Sequence, residues 1–280
     1  MDISVFLAVL CAAAMHAGWN VIVKLKAEPL QAMVLVQVAA GGLALALLPF
    51  FGLPAPASWP YLAATTVIHI FYFLWLTAAY ARADMGLVYP VARGAAPLMT
   101  AIASVAVFGE RIAPLALAGI ALLGGGIMAL AFQSKSAGRE QRTGFVFALL
   151  TAVTITLYTF ADGLGGRASG NVHAYALVNF VLNGISIALI GLAKRGPGIL
   201  AGAGPLLRPA LAGAAMTLGS YWISIWAMTK APIPLVAATR ETSVLFASLL
   251  ALVVLGEKLS ALRIASAAMI VAGLILMRLA

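Results

Sequence analysis

Charge is scarce in this chain. Eight acidic and 17 basic residues are spread over 280 positions, so charged side chains make up 9% and hydrophobic ones 64%. A soluble domain of this size cannot cover its surface with so few charges. Cysteine is nearly missing: Cys11 stands alone, which excludes an internal disulfide, a cysteine metal cluster and a CxxC redox pair. The histidines, His16, His69 and His173, lie in separate apolar runs with no i, i+4 pair, so a metal site is not expected. No HExxH, GxSxG, phosphate loop or nucleic-acid module occurs. The net charge of +9 is scattered singly between apolar runs, which fits loop charges that orient membrane spans rather than a nucleic-acid surface. These absences argue against an enzyme and against a cofactor. A positive leader region before the first apolar run is also missing, so that run reads as a retained span.

What the chain has instead is apolar length, with a mean hydropathy of +1.08. A spanning helix needs about 20 mostly apolar residues. Ten segments qualify: 3–23, 30–51, 59–80, 86–108, 112–132, 144–164, 171–192, 208–228, 234–255 and 260–279. The lipid bilayer is therefore the expected solvent for most of the surface.

The chain also matches itself. Shifted by 147 positions without a gap, residues 75–111 fall on 222–258. Trp75 meets Trp222, Arg93 meets Arg240, Leu98 meets Leu245, and Gly109, Glu110 and Arg111 meet Gly256, Glu257 and Lys258. The polar break QSKSAGREQRT (133–143) lies midway. The predicted architecture is an all-α integral membrane protein of ten transmembrane helices in two five-helix repeats, 1–134 and 143–280, with 135–142 as linker. Five crossings is an odd number, so the second copy starts from the other side and the repeats are inverted. Connections after odd-numbered spans carry eleven Lys and Arg, against Arg111, Arg167, Lys230 and Arg278 on the other side. That excess predicts a cytoplasmic linker and both termini outside.

The fifth and tenth spans are rich in small residues. The pairs Ala121/Gly125 and Ala268/Ala272, related by the same shift, predict close helix packing away from any substrate path.

Polar and aromatic residues inside the spans are the candidate substrate-binding set. His16, Trp19 and Asn20 share one face of the first span, and His69 and Tyr72 one face of the third, which also holds Trp75. Tyr89 and Arg93 are i, i+4 on the fourth, with Pro90 and Pro97 expected to free backbone carbonyls. Tyr158 lies on the sixth, Trp222 on the eighth, and Arg240 and Glu241 on the ninth. The aromatics fit core packing or an interfacial belt as well as a site, and His16 and Asn20 fit a bond to a neighbouring helix as well as a ligand. Asp162 reads as a residue at a span end.

Arg93 and Arg240 are the most informative. Each lies roughly 10 Å into its span, where arginine costs about 2.5–3.5 kcal/mol. Inversion predicts the two near opposite membrane faces, each meeting an anionic group from its own side. The competing reading has both snorkel to the near interface, or pair with acid: Arg240 with Glu241 or in the neighbourhood of Glu257, and Arg93 with Asp84.

The chain resembles the EamA-type permeases of the drug/metabolite transporter superfamily. The resemblance rests on the five-plus-five duplication, HAGWNVIVK in the first span, YPVARGAAPL in the fourth, and the junctions GER (109–111) and GEK (256–258). The second copy departs from the first, reading VAATRETSVL in place of YPVARGAAPL. The resemblance implies a secondary transporter in a bacterial-type inner membrane. Spans 1–4 and 6–9 would surround a central cavity, and the substrate would be a small metabolite, an amino acid in the first place, exported by alternating access. Another small organic anion (a sugar, phosphonate or drug-like compound) is the alternative. An intramembrane enzyme using His16 and His69, or a non-transporting scaffold, stands further off.

Overall fold

The structure is a computed structural model that describes residues 1–24, 29–133, 138–255 and 260–280. Among these residues it is helical throughout, without a strand. The helices are α1 (Ile3–Lys24), α2 (Pro29–Phe51), α3 (Trp59–Tyr80), α4 (Met85–Ala106), α5 (Pro114–Ala129), α6 (Arg139–Ala168), α7 (Val172–Arg195), α8 (Leu207–Lys230), α9 (Ile233–Arg240), α10 (Ser243–Leu255) and α11 (Ala261–Leu279).

Among the described residues, seven helical stretches are long and apolar enough to cross a membrane: Ile3–Asn20, Leu30–Phe51, Pro56–Tyr80, Arg139–Ala168, Val172–Leu200, Ile233–Leu250 and Ala261–Leu279. α5 is apolar but shorter, at 16 residues. α4 and α8 are 22 and 24 residues long, but arginine, proline, serine and threonine lower their hydropathy. The stretches Arg139–Ala168 and Ile233–Leu250 are 61% and 67% buried, against 22% for Pro56–Tyr80 and Ala261–Leu279. α6 and α9 with the start of α10 therefore form the centre, and α3 and α11 show most of their surface outward.

Local chemistry sets the boundaries. Proline occupies the first turn of α3, α5 and α9, where its missing N–H costs no helical bond. Asn171 and Ser260 cap α7 and α11 by accepting from the backbone N–H of Ala174 and Arg263, both at 3.2 Å. Gly109 of the first Gly-Glu-basic junction has φ 63°, a left-handed conformation that favours glycine. The matching junction at 256–258 lies outside the described residues, as do 135–137 of the expected linker and residue 134 before it. The rest of that linker is shorter than expected, because α6 begins at Arg139.

The ninth span, expected as one helix over 234–255, is interrupted. Between α9 and α10 the Glu241 N–H reaches Ala238 O at 3.0 Å and the Thr242 N–H reaches Thr239 O at 3.1 Å, so the backbone tightens to i, i+3 bonding. The Thr239 and Thr242 hydroxyls bond back to Leu235 O and Thr239 O, both at 2.7 Å, competing with the backbone for carbonyls. α4 stays helical across Pro90 and Pro97. Lacking an N–H, Pro97 leaves the carbonyl of Arg93 without its usual helical donor.

α2 packs on α7, α5 on α11, α1 on α8 and α10, and α6 on α3 and α4. Glycine sets several close crossings. A Cβ added at Gly41 would stand 3.2 Å from the Gly184 Cα, and one added at Gly119 would stand 2.6 Å from the Gly273 carbonyl oxygen. The α5–α11 contact thus runs through Gly119, Gly126 and Gly273. It bypasses the expected pairs: Ala121 and Ala268 are exposed, and Gly125 has only ordinary contact with Met269. A stripe of small residues every fourth position exists on more than one face here, and shape complementarity chose the glycine face.

At one end of the bundle Arg167 ties three elements. Its Nε donates to Met228 O at 2.9 Å and Nη2 to Ala231 O at 3.2 Å, while Nη1 lies 3.5 Å from Glu110 Oε1. Ser104 donates to the other Glu110 oxygen at 2.5 Å.

Candidate functional site

The site is built on the interruption between α9 and α10. Arg240 ends α9, Glu241 and Thr242 form the tight turn, and Ser243 starts α10. All of them are buried. Arg93 reaches the same place from the middle of α4, its Nε 2.7 Å from Glu241 Oε2. Arg240 Nη2 lies 3.9 Å from Glu241 Oε1. The two guanidiniums therefore converge on one carboxylate, and the expectation that they face opposite sides is corrected. Arg93 pairs with Glu241 from another helix rather than with Asp84. One negative and two positive groups leave the cluster with an excess positive charge.

The surrounding shell holds it in place. His16 of α1 presents Nε2 to Arg93 Nη2 at 3.2 Å, and Ser243 Oγ stands 3.5 Å from the same nitrogen. Trp19 donates from Nε1 to His16 Nδ1 at 3.3 Å. A neutral imidazole has one acceptor nitrogen, so His16 cannot satisfy Trp19 and Arg93 together. Tyr89, one turn before Arg93, is within hydrogen-bonding reach of Arg93 and Ser243. Arg240 donates to Tyr158 Oη at 3.4 Å and lies 5.2 Å over the Tyr221 ring, a cation–π contact. Its buried Nε has no hydrogen-bond partner among the described residues. Tyr158 stacks on His69 at 4.4 Å and meets Tyr72 edge-on at 5.9 Å. His69 is anchored to Thr65, its Nδ1 2.8 Å from Thr65 O.

His16, His69, Tyr72 and Tyr89 are each half-buried beside the cluster. A rim of half-accessible aromatics and histidines around a buried, net-positive pair of arginines suits a small anion with an apolar part.

The structure brings together most of the sequence-predicted set: His16, Trp19, Tyr89, Arg93, Arg240 and Glu241 in one cluster, joined through Tyr158 to His69 and Tyr72. Asn20 is adjacent, but its amide donates to His16 O at 2.7 Å on its own helix. Two residues lie apart. Trp75 packs on the exposed Phe71 at 5.6 Å, on the outward side of α3. Trp222 donates to His173 Nδ1 at 2.9 Å and packs edge-on against Phe51, in a cluster where α2 ends and α7 begins. Neighbouring helical residues point about 100° apart, and on α8 it is Tyr221 that faces inward.

Sequence reasoning missed Asp162. It is fully buried on α6 and accepts from Tyr175, Asn179 and Tyr221. The signal was present: Tyr158 and Asp162 are i, i+4, and Tyr175, Asn179 and Asn183 form a polar stripe at the same spacing on the next helix.

A multi-pass helical membrane protein whose centre holds buried ionised side chains belongs among those that handle polar solutes. Residues 142–279 match the model of the EamA-like transporter family. That match supports a membrane transporter of small molecules. A solved structure described as "Crystal structure of protein" superposes on this chain with a TM-score of 0.77 at 20% identity, over 99% of this chain and 98% of that one. At that identity the likeness concerns the fold. No curated protein matches.

Proposed function

We propose that the chain is a secondary transporter that exports a small carboxylate-bearing metabolite, an amino acid in the first place, across a bacterial-type inner membrane. The observation that carries this reading is the convergence of Arg93 and Arg240 on the single carboxylate of Glu241. The excess positive charge and the unpartnered Arg240 Nε offer a place for the substrate carboxylate. Tyr72, Tyr89 and Tyr158 would contact its apolar part, with His16 and His69 at its polar groups. Trp75 and Trp222 leave this set for the reasons of position given above.

Two inverted repeats of five spans, with both termini outside, remain the architecture we propose. The packing pattern supports it. Exchanging each helix of the first half for its counterpart turns the α1–α8 contact into α6–α3 and the α1–α10 contact into α6–α4, while α2–α7 and α5–α11 map onto themselves. Rocking of one repeat against the other would open the site alternately to each side. The interrupted helix at the site fits such a motion, since broken helices are tolerated where they border a cavity.

Counterflow in proteoliposomes tests the proposal, against a panel of amino acids, sugars and phosphonates. Exchange of amino acids that is lost in both Arg93→Gln and Arg240→Gln, with the variants still inserted and monodisperse, is the expected result. Exchange confined to phosphonates or sugars selects the other organic anions. Unchanged exchange in both variants removes the arginines from the site.

A further inference from the structure

A second buried ionisable centre lies beside the arginine cluster and has no part in the reading above. Asp162 sits in the membrane-crossing α6 with no exposed surface. Its Oδ1 accepts from Tyr175 Oη at 3.1 Å and Asn179 Nδ2 at 3.0 Å, and its Oδ2 accepts from the Tyr221 hydroxyl. Thr65 on α3 lies close beside it. Asn183 Nδ2 extends the network to Asn179 Oδ1 at 2.7 Å. Every one of these donors is neutral, so no cation is salt-bridged to the carboxylate among the described residues. Neutral donors serve either state of the acid: the ionised form accepts from all of them, and the protonated form gives one bond back.

The groups facing Asp162 come from every helix around it. They are His69 on α3, Tyr175 on α7, Tyr221 on α8, Arg240 on α9 across the Tyr221 ring, and Tyr158 on α6 itself. Arg93 on α4 is committed to Glu241. Two bridges therefore connect Asp162 to the arginine cluster. Tyr221 bonds Asp162 through its hydroxyl and carries Arg240 on its ring, and His69 stacks on the Tyr158 that accepts from Arg240.

We propose that Asp162 is a proton-binding site that couples transport to the proton gradient. A proton from water adds to Oδ2, the new acid O–H donates to the Tyr221 oxygen, and the Tyr221 hydroxyl hydrogen turns to another acceptor. The proton's donor is a hydronium ion, which gives up one O–H bond and leaves as water; no other covalent bond changes. Protonation removes the negative charge at the hydroxyl end of Tyr221, whose ring carries Arg240, so occupancy of the proton site is felt electrostatically at the anion site. The coupling rests on the transport reading, whereas proton uptake itself does not.

Infrared difference spectroscopy of the full-length protein in lipid bilayers, titrated from about pH 4 to about pH 9, reads the carboxylic C=O stretch. The expected result is a titrating band that is absent in Asp162→Asn, retained in Glu241→Gln, and shifted in frequency in Tyr221→Phe, which loses one hydrogen bond. The Tyr221→Phe shift assigns the band even if Asp162→Asn fails to fold. A wild-type spectrum with no titrating carboxylic band overturns the proposal, as does a band that follows Glu241 or that answers to sodium at fixed pH. In proteoliposomes loaded with a pH-sensitive dye, a mixture of the common amino acids should drive proton movement in the wild type and none in Asp162→Asn. Counterflow without proton movement in the wild type overturns the coupling. Absence of counterflow overturns the transport reading instead, and leaves the proton site to be decided by the infrared titration.

Discussion

Replacing Glu241 by Gln leaves two buried guanidiniums without a counter-charge. Breaking a buried pair by removing one partner costs about 3–5 kcal/mol. The geometry says which arginine bears most of that loss. At an effective dielectric constant near 20, the 2.7 Å contact of Arg93 is worth about 6 kcal/mol and the 3.9 Å contact of Arg240 about 4 kcal/mol before desolvation is charged against each. Arg240 also has Tyr158 and the Tyr221 ring to hold it. The Arg93–Glu241 coupling should therefore exceed the Arg240–Glu241 coupling by about 1–2 kcal/mol. Two double-mutant cycles measure this, one on Arg93→Gln and Glu241→Gln and one on Arg240→Gln and Glu241→Gln, each read by reversible unfolding in detergent. Additivity within about 0.5 kcal/mol in the first cycle, or a larger coupling in the second, would refute the shared-carboxylate geometry.

Two further expectations follow from packing. Gly273→Ala places a Cβ 2.5 Å from the Gly119 carbonyl oxygen, and should destabilise the α5–α11 pair by about 1–3 kcal/mol; Gly125→Ala, whose added Cβ makes only ordinary contact with Met269 at 3.9 Å, should leave the unfolding midpoint unchanged. On α8, Trp222→Phe should preserve exchange activity while Tyr221→Phe reduces it, since only Tyr221 joins Arg240 to Asp162; equal effects in the proteoliposome assay would remove that distinction.

Class was the most legible property of the sequence. Too little charge and too much apolar length permit only helices in lipid, and the helical stretches lie where hydropathy places them. The arginines were legible because a guanidinium inside an apolar run is costly enough to need a reason. Their geometry was not. Sequence spacing gives depth along one helix but not the lateral approach of α4 to α9, so the two cations were expected at opposite faces and were found around one acid. Trp222 and Tyr221 show the same limit: adjacent letters carry equal aromatic weight, and only packing decides which points inward. Asp162 was overlooked because depth was judged from the nominal span end, while α6 runs on to Ala168 and carries the carboxyl inside. The interruption at Glu241 had a readable cause in Thr239 and Thr242, whose hydroxyls take backbone carbonyls from the helix.

The Arg167 tie has a consequence for how the molecule responds to its surroundings. Two of its bonds end on main-chain carbonyls, of Met228 and Ala231, and the ionic one is long and partly exposed. Added electrolyte screens the contact with Glu110 but leaves the carbonyl bonds intact. The tie at that end is thus governed by backbone shape rather than by salinity, and it holds three chain segments together whatever the ionic strength.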